Sequence, residues 1–239
     1  MNATLTDLGI KIFADGADLA SIRSLSANAF IKGFTTNPTL MRQAGVADYE
    51  AFARSVLEEV TDRPISFEVF SDEFDDMERQ ATRISSWAEN VNVKIPVTNT
   101  TGESSAKLIR RLAADGVRLN VTALMTLRQV RAVAECLENG PPSMISVFAG
   151  RIADTGHDPV PLMAAAHELV CPYGNIELLW ASPREVLNLL QADAVGCDII
   201  TMTPDLLKKI PGLWKDLDAY SLETVQMFYN DARQAGYAL

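Results

Sequence analysis

Lys94 stands in Val91-Asn92-Val93-Lys94-Ile95-Pro96-Val97, a β-branched run closed by a proline. Such a run reads as a buried strand of a parallel sheet. Lysine is rarely buried without a partner or a chemical task. Burial disfavours a charged ammonium, and a neutral amine is a nucleophile toward carbonyl carbon, with which it forms a Schiff base. The competing reading is a lysine at a strand end whose stem is covered and whose head snorkels to solvent. The strand alone supports both.

Neighbouring strands separate the two readings, because alternate residues of a strand face the same way. Asn92 and Lys94 share a face, with Val91, Val93 and Ile95 on the other. In the following strand Asn120 and Thr122 fall together, against Leu119 and Val121. In the preceding one Ser66 and Glu68 oppose Ile65, Phe67 and Val69. Ser146 and Phe148 oppose Ile145, Val147 and Ala149, and Asp15 ends the first strand in phase with Lys11 and Phe13. Taken singly, each has a structural explanation: Thr122 is a common strand former, and Asn37 before Pro38 is a frequent turn opener. Polar groups sharing a phase across several strands need mutual hydrogen bonds or a working mouth. The shared phase favours catalysis over a hydrated plug.

Two arginines extend the pattern. Arg151 follows Phe148-Ala149-Gly150, and Arg184 follows Ala181-Ser182-Pro183. With Ser182 as N-cap and Pro183 opening a helix, they would form a phosphate-sized anion site. The alternative is a pair of surface ion pairs, which an acidic protein offers easily.

The elements that must position these residues alternate from end to end. Candidate strands begin near Ile10, Gly33, Ile65, Asn92, Arg118, Met144, Ile176 and Asp198, each followed by a helical stretch. Met77, Ala81, Ile84 and Ala88 line one helical face, and Leu127, Val130, Ala134 and Leu137 another. Leu108, Leu112 and Gly116 line a third. Eight strand–helix units in a chain near ~250 residues predict an α/β fold, a single (β/α)8 TIM barrel spanning residues 1–239. A doubly wound open sheet shares the alternation but lacks support from a glycine-rich first turn. The stretch from Ser221 to Leu239 reads as a last helix with a short tail, over the barrel mouth or on a neighbour.

Composition closes off other classes. Lys+Arg 21 against Asp+Glu 31 gives a net charge of −10, which argues against nucleic-acid or acidic-membrane binding. Three widely spaced cysteines, Cys136, Cys171 and Cys197, suit free thiols in a reducing cytoplasm. No signal-peptide pattern is apparent at the N-terminus, and no apolar run reaches transmembrane length. His157 and His167 are too few for a His-rich metal site, and no nucleotide-binding glycine motif is present, so no metal or other cofactor is expected.

These residues resemble the transaldolase family, the Schiff-base sugar-phosphate enzymes that include small fructose-6-phosphate aldolases. Gly33-Phe34-Thr35-Thr36-Asn37-Pro38-Thr39-Leu40 is similar to its TTNP motif, and Val93-Lys94-Ile95-Pro96-Val97-Thr98 to its Schiff-base strand. Phe13-Ala14-Asp15 resembles its first-strand acid, and Leu119-Asn120-Val121-Thr122 its fifth-strand Asn-x-Thr. The family's transaldolases carry Glu and Phe where its free-ketone aldolases carry Gln and Tyr; here those positions are Glu68 and Phe148. Pro183 departs from the family, which has an aromatic there.

The resemblance implies that Lys94 is the imine lysine, Asp15 the acid–base at the C4 hydroxyl, and Glu68 a proton shuttle through a water held by Thr122. It assigns Thr36, Asn37, Asn120, Ser146 and Phe148 to the sugar, and Arg151, Ser182 and Arg184 to its phosphate. The implied activity is transfer of a dihydroxyacetone unit between sugar phosphates, in cytoplasmic carbohydrate metabolism of the pentose phosphate kind. The alternatives are an aldolase releasing free dihydroxyacetone and a transaldolase of a modified, for example sulfonated, sugar. The small subgroup tends to homo-oligomers.

Overall fold

The computed structural model describes residues 4–238. Eight strands close into one barrel: β1 (Lys11–Asp15), β2 (Ile31–Thr35), β3 (Ile65–Glu68), β4 (Val91–Pro96), β5 (Leu119–Leu124), β6 (Ser143–Val147), β7 (Ile176–Trp180) and β8 (Ile199–Met202). Every neighbouring pair is parallel, including β8 to β1. The helices are α1 (Leu19–Ser26), α2 (Pro38–Gln43), α3 (Tyr49–Glu59), α4 (Phe74–Ser85), α5 (Ala106–Ala114), α6 (Leu127–Leu137), α7 (Ala149–Asp154), α8 (Pro159–Val170), α9 (Leu187–Ala194), α10 (Pro204–Leu207) and α11 (Leu217–Gln234). The architecture is the single (β/α)8 barrel that the alternation predicts.

The pleat sorts the side chains. Ile65, Phe67, Val93, Ile95, Leu119, Val121, Ile145 and Val147 are buried in the main core, between strands and helices. Each such chain stabilises the fold by about 1.5–3 kcal/mol relative to exposure. Helix α4 contributes Met77, Ala81 and Ile84; Ala88 lies past its end and is only partly covered. Helix α6 buries Val130, Ala134 and Leu137, whereas Leu127, its first residue, stays exposed. Gly116 is the turn after α5, with φ +81.

Inside the barrel a second apolar cluster of Phe13, Met144, Leu179, Ala181 and Ile199 has Phe148 packed against it. The Phe13 ring lies over Gly33, where a Cβ would come within 2.5 Å. Also buried are Thr35, Ser66, Lys94, Asn120, Thr122, Ser146 and Thr201.

Two local expectations need correction. No helix opens at Pro183: α9 begins at Leu187, and Ser182 has φ +57 rather than the extended backbone of an N-cap. Asn188 caps this segment instead, its Oδ1 accepting from the backbone N–H of Arg184 at 2.7 Å and Glu185 at 3.1 Å. The last helix starts at Leu217, before Ser221, because Asp216 caps it by accepting from Ala219 N–H at 2.9 Å. No residue of α11 is buried; Tyr220, Val225 and Phe228 stand exposed on it. Leu239, the end of the predicted tail, lies outside the described residues, and Tyr237 is exposed.

Candidate active site

Lys94 is 6% exposed on β4, and the register sets it between Glu68 on β3 and Asn120 on β5. Its Nζ donates to the Thr36 carbonyl oxygen at 2.9 Å and lies 3.2 Å from Glu68 Oε2. The amine is thus held from two sides, with a carboxylate beside it able to take or return its proton.

Asp15 ends β1 across the barrel mouth. Thr35 Oγ1 donates to Asp15 Oδ1 at 2.8 Å and is 2.5 Å from Thr201 Oγ1. Burial pushes the Asp15 carboxyl above its ordinary value, and nearby Glu68 adds to this; Lys94 and the Thr35 hydrogen bond work in the other direction. A carboxyl raised in this way holds and releases a proton nearer neutral pH than a solvated aspartate does.

Beneath the mouth runs a hydrogen-bond chain across three strands. Ser146 Oγ donates to Asn120 Oδ1 at 2.6 Å, and Asn120 Nδ2 donates to Ser66 Oγ at 3.0 Å. The chain fixes the Asn120 amide and leaves one of its N–H donors free of it. The Thr122 hydroxyl is buried with no protein partner. An orphaned buried hydroxyl is expensive unless a water or ligand satisfies it.

One cavity of about 260 Å³ lies at this mouth. Asp15, Asn37, Glu68, Lys94, Asn120, Thr122, Ser146, Phe148, Arg151 and Ser182 all line it. Arg151 stacks its guanidinium 5.5 Å from the centroid of the Phe148 ring. Asn37 also caps α2, its Oδ1 accepting from Leu40 N–H at 3.0 Å. This leaves its amide N–H groups for the cavity.

Two predicted residues are placed elsewhere. The Thr36 side chain turns away to donate to the Ser66 carbonyl oxygen at 2.9 Å, so Thr36 serves the cavity through the carbonyl that receives Lys94. Arg184 does not join the lining; it pairs bidentately with Asp154, its Nε 2.8 Å from Asp154 Oδ1. The Ser182 carbonyl packs directly against Gly150, leaving no space there for a Cβ. Without the helix expected at Pro183, the anion end of the cavity has Arg151 and Ser182 alone from the predicted set.

The sequence reading missed Thr35 and Thr201, both lining the cavity. Thr201 was accessible by carrying the pleat through the eighth strand, where Ile199 and Thr201 alternate with Ile200 and Met202. Among the described residues no cluster of three or more His, Cys, Asp or Glu side chains could hold a metal ion. No helix among them is long and apolar enough to cross a membrane.

A larger cavity, about 540 Å³, opens at the opposite, N-terminal end of the strands. Arg63, Asn92, Arg118 and Glu177 are among its lining residues. Barrel enzymes work at the C-terminal face, and the smaller cavity is the one that holds a buried amine beside a carboxylate.

Comparisons with known proteins identify the family. Residues 12–238 match the family described as Transaldolase/Fructose-6-phosphate aldolase. A probable transaldolase of Chelativorans sp. (strain BNC1) is 34% identical over 88% of this chain and 94% of its own length. A probable transaldolase of Listeria monocytogenes is 32% identical over 89% of this chain and 98% of its own. A solved mandelate oxidase variant is 14% identical, covering 88% of this chain and 73% of its own, with a TM-score of 0.57; it shares the fold alone. The chain belongs to the transaldolase/fructose-6-phosphate aldolase family and is an enzyme of that kind.

Proposed function

We propose that the protein transfers a dihydroxyacetone unit from a ketose phosphate to an aldose phosphate through a Schiff base on Lys94. One observation carries this reading: a buried amine 3.2 Å from Glu68, in the same cavity as a carboxyl of raised pKa, Asp15. Lys94 Nζ adds to the ketone carbon. Glu68, with a water held at the Thr122 hydroxyl, moves the protons that turn the carbinolamine into an iminium and water. Asp15 takes the C4 hydroxyl proton, and the C3–C4 bonding electrons flow into the iminium as an aldose phosphate leaves. The resulting enamine attacks the acceptor aldehyde, and water then releases the new ketose from Lys94. Asn37, Asn120 and Ser146 hold hydroxyls of the three-carbon unit, and Arg151 with Ser182 holds the distal anion.

Phe148 favours transfer over release, since it has no hydroxyl with which to deliver a proton or orient water for free dihydroxyacetone. A panel of ketose donors with and without acceptor aldehydes tests this. Product should need an acceptor in the wild type, and Phe148→Tyr should raise release relative to transfer. Equal ratios in both proteins would refute the assignment.

The withdrawal of Arg184 favours a second reading of the anion. A single guanidinium suits a singly charged group, as on a sulfonated sugar, as well as it suits phosphate. Sulfonated donors in the same panel decide this by their kcat/KM. We further propose that the enzyme works in the cytoplasm as a homo-oligomer. Its free cysteines and the uncovered apolar side chains of α11 support that view.

A further inference from the structure

The sheet is incomplete beside Glu68. Strands β2 and β3 pair at Phe34 with Ile65 and at Thr35 with Ser66. The last bonds come from Thr36, whose N–H and Oγ1 both donate to the Ser66 carbonyl oxygen. The chain then turns at Asn37 into α2. On the other side β3 continues beside β4 through Glu68 opposite Lys94, and Val69 N–H donates to the Lys94 carbonyl oxygen at 3.1 Å. In a parallel ladder the backbone groups of successive residues point to alternate neighbours. Val69 bonds to β4, so Glu68 presents its N–H and C=O to the side that β2 has vacated.

One side chain fills that place. Tyr49 Oη accepts from Glu68 N–H at 2.8 Å and donates to the Glu68 carbonyl oxygen at 2.7 Å. A single hydroxyl thus stands in for a missing strand partner. Tyr49 is the first residue of α3, anchored by the Asp48 cap on Ala51 N–H. Phe70 and Trp87 pack against its ring, with centroids 5.3 and 6.1 Å away. Burial drives the phenol pKa upward, so the hydroxyl keeps the proton that it donates to the Glu68 carbonyl oxygen.

We propose that Tyr49 is a positioning residue, holding the last peptide of β3 so that the Glu68 carboxylate stays against Lys94. The inference rests on the proton-shuttle role proposed for Glu68. Tyr49 does not line the cavity, so it acts through Glu68 and not on substrate. Its removal should slow carbinolamine dehydration and leave donor binding intact.

The test measures how fast borohydride traps the donor on the full-length enzyme, at a temperature where circular dichroism shows each variant folded. Tyr49→Phe keeps the ring and removes the hydroxyl. Trapping should slow about tenfold or more, part of the about 10²–10⁴-fold that general acid–base catalysis supplies, while donor KM moves less than about twofold. Trp87→Phe loosens the same aromatic packing and should lower the melting temperature without slowing trapping. In a Glu68→Gln background, itself slow, Tyr49→Phe should add less than about a further twofold. Full additivity of the two substitutions, or an unchanged trapping rate in Tyr49→Phe, would overturn the inference. An unchanged rate in Glu68→Gln alone would instead overturn the shuttle role on which it stands.

Discussion

The barrel carries two lysine–glutamate pairs, one at each end. Lys94 meets Glu68 at the mouth, and Lys11 meets Glu177 at the base. In each, strand residues supply both partners. Burial separates them. The mouth pair has side chains 8% and 17% exposed, the base pair 51% and 34%. Water screens the base pair, and such exposed pairs contribute about 0.2–1 kcal/mol. At the mouth the amine is held by a carbonyl oxygen and a carboxylate, next to an unpartnered hydroxyl and a second carboxyl. Pairing alone therefore does not distinguish the lysine proposed to form the Schiff base. Its withdrawal from solvent beside two carboxyl groups does.

Replacing each lysine by methionine puts the contrast to its hardest test. Lys94→Met should lower kcat by at least about 10⁴-fold, since the covalent route is gone. Lys11→Met should leave kcat within about twofold. Comparable losses in the two variants would erase the distinction.

Asp15→Asn sharpens it further, because the mouth should trade stability for function. Turnover should drop about 10²-fold or more, while borohydride still traps donor on Lys94. Stability should move the other way. The folded state holds the Asp15 proton above the ordinary value of 3.8, so folding loses stability as pH rises through that raised pKa. Asparagine still accepts from Thr35 and carries no buried charge. Its melting temperature should exceed the wild type's at neutral pH, and the gain should vanish below pH 3.8, where Asp15 is protonated both folded and unfolded. A thermal melt series across pH checks the sign.

A smaller effect is expected at the anion end. Arg151→Ala should raise donor KM about tenfold through loss of a charge-assisted contact, whereas Arg184→Ala, which removes a guanidinium already paired with Asp154, should change it less than about threefold. Steady-state kinetics on one donor separates them. The smallest effect belongs to Glu177→Gln at the base, which should destabilise by about 0.2–1 kcal/mol in denaturant titration, with no change in kcat.

Much of this was legible in the sequence. Period-two alternation placed Asp15, Glu68, Lys94, Asn120 and Thr122 on inward faces, because one side of every strand had to meet the helices. What escaped it was non-local. Nothing near Tyr49 in the chain announces that its hydroxyl completes the β3 ladder, since the gap arises from where β2 stops. Pro183 signalled a helix start, but the preceding Ser182 backbone is fixed by close packing on Gly150 and takes the left-handed region. Arg184 reads as an anion ligand because its partner Asp154 lies thirty residues earlier in sequence, and only the fold brings the two together.

Covalent trapping is the most direct test of a Schiff base on Lys94. The enzyme is incubated with a ketose phosphate donor, reduced with borohydride, digested and mapped by mass spectrometry. One stable adduct is expected, on Lys94, and none on Lys11. An adduct on any other lysine, or none with a donor that the enzyme turns over, would contradict a Schiff base on Lys94.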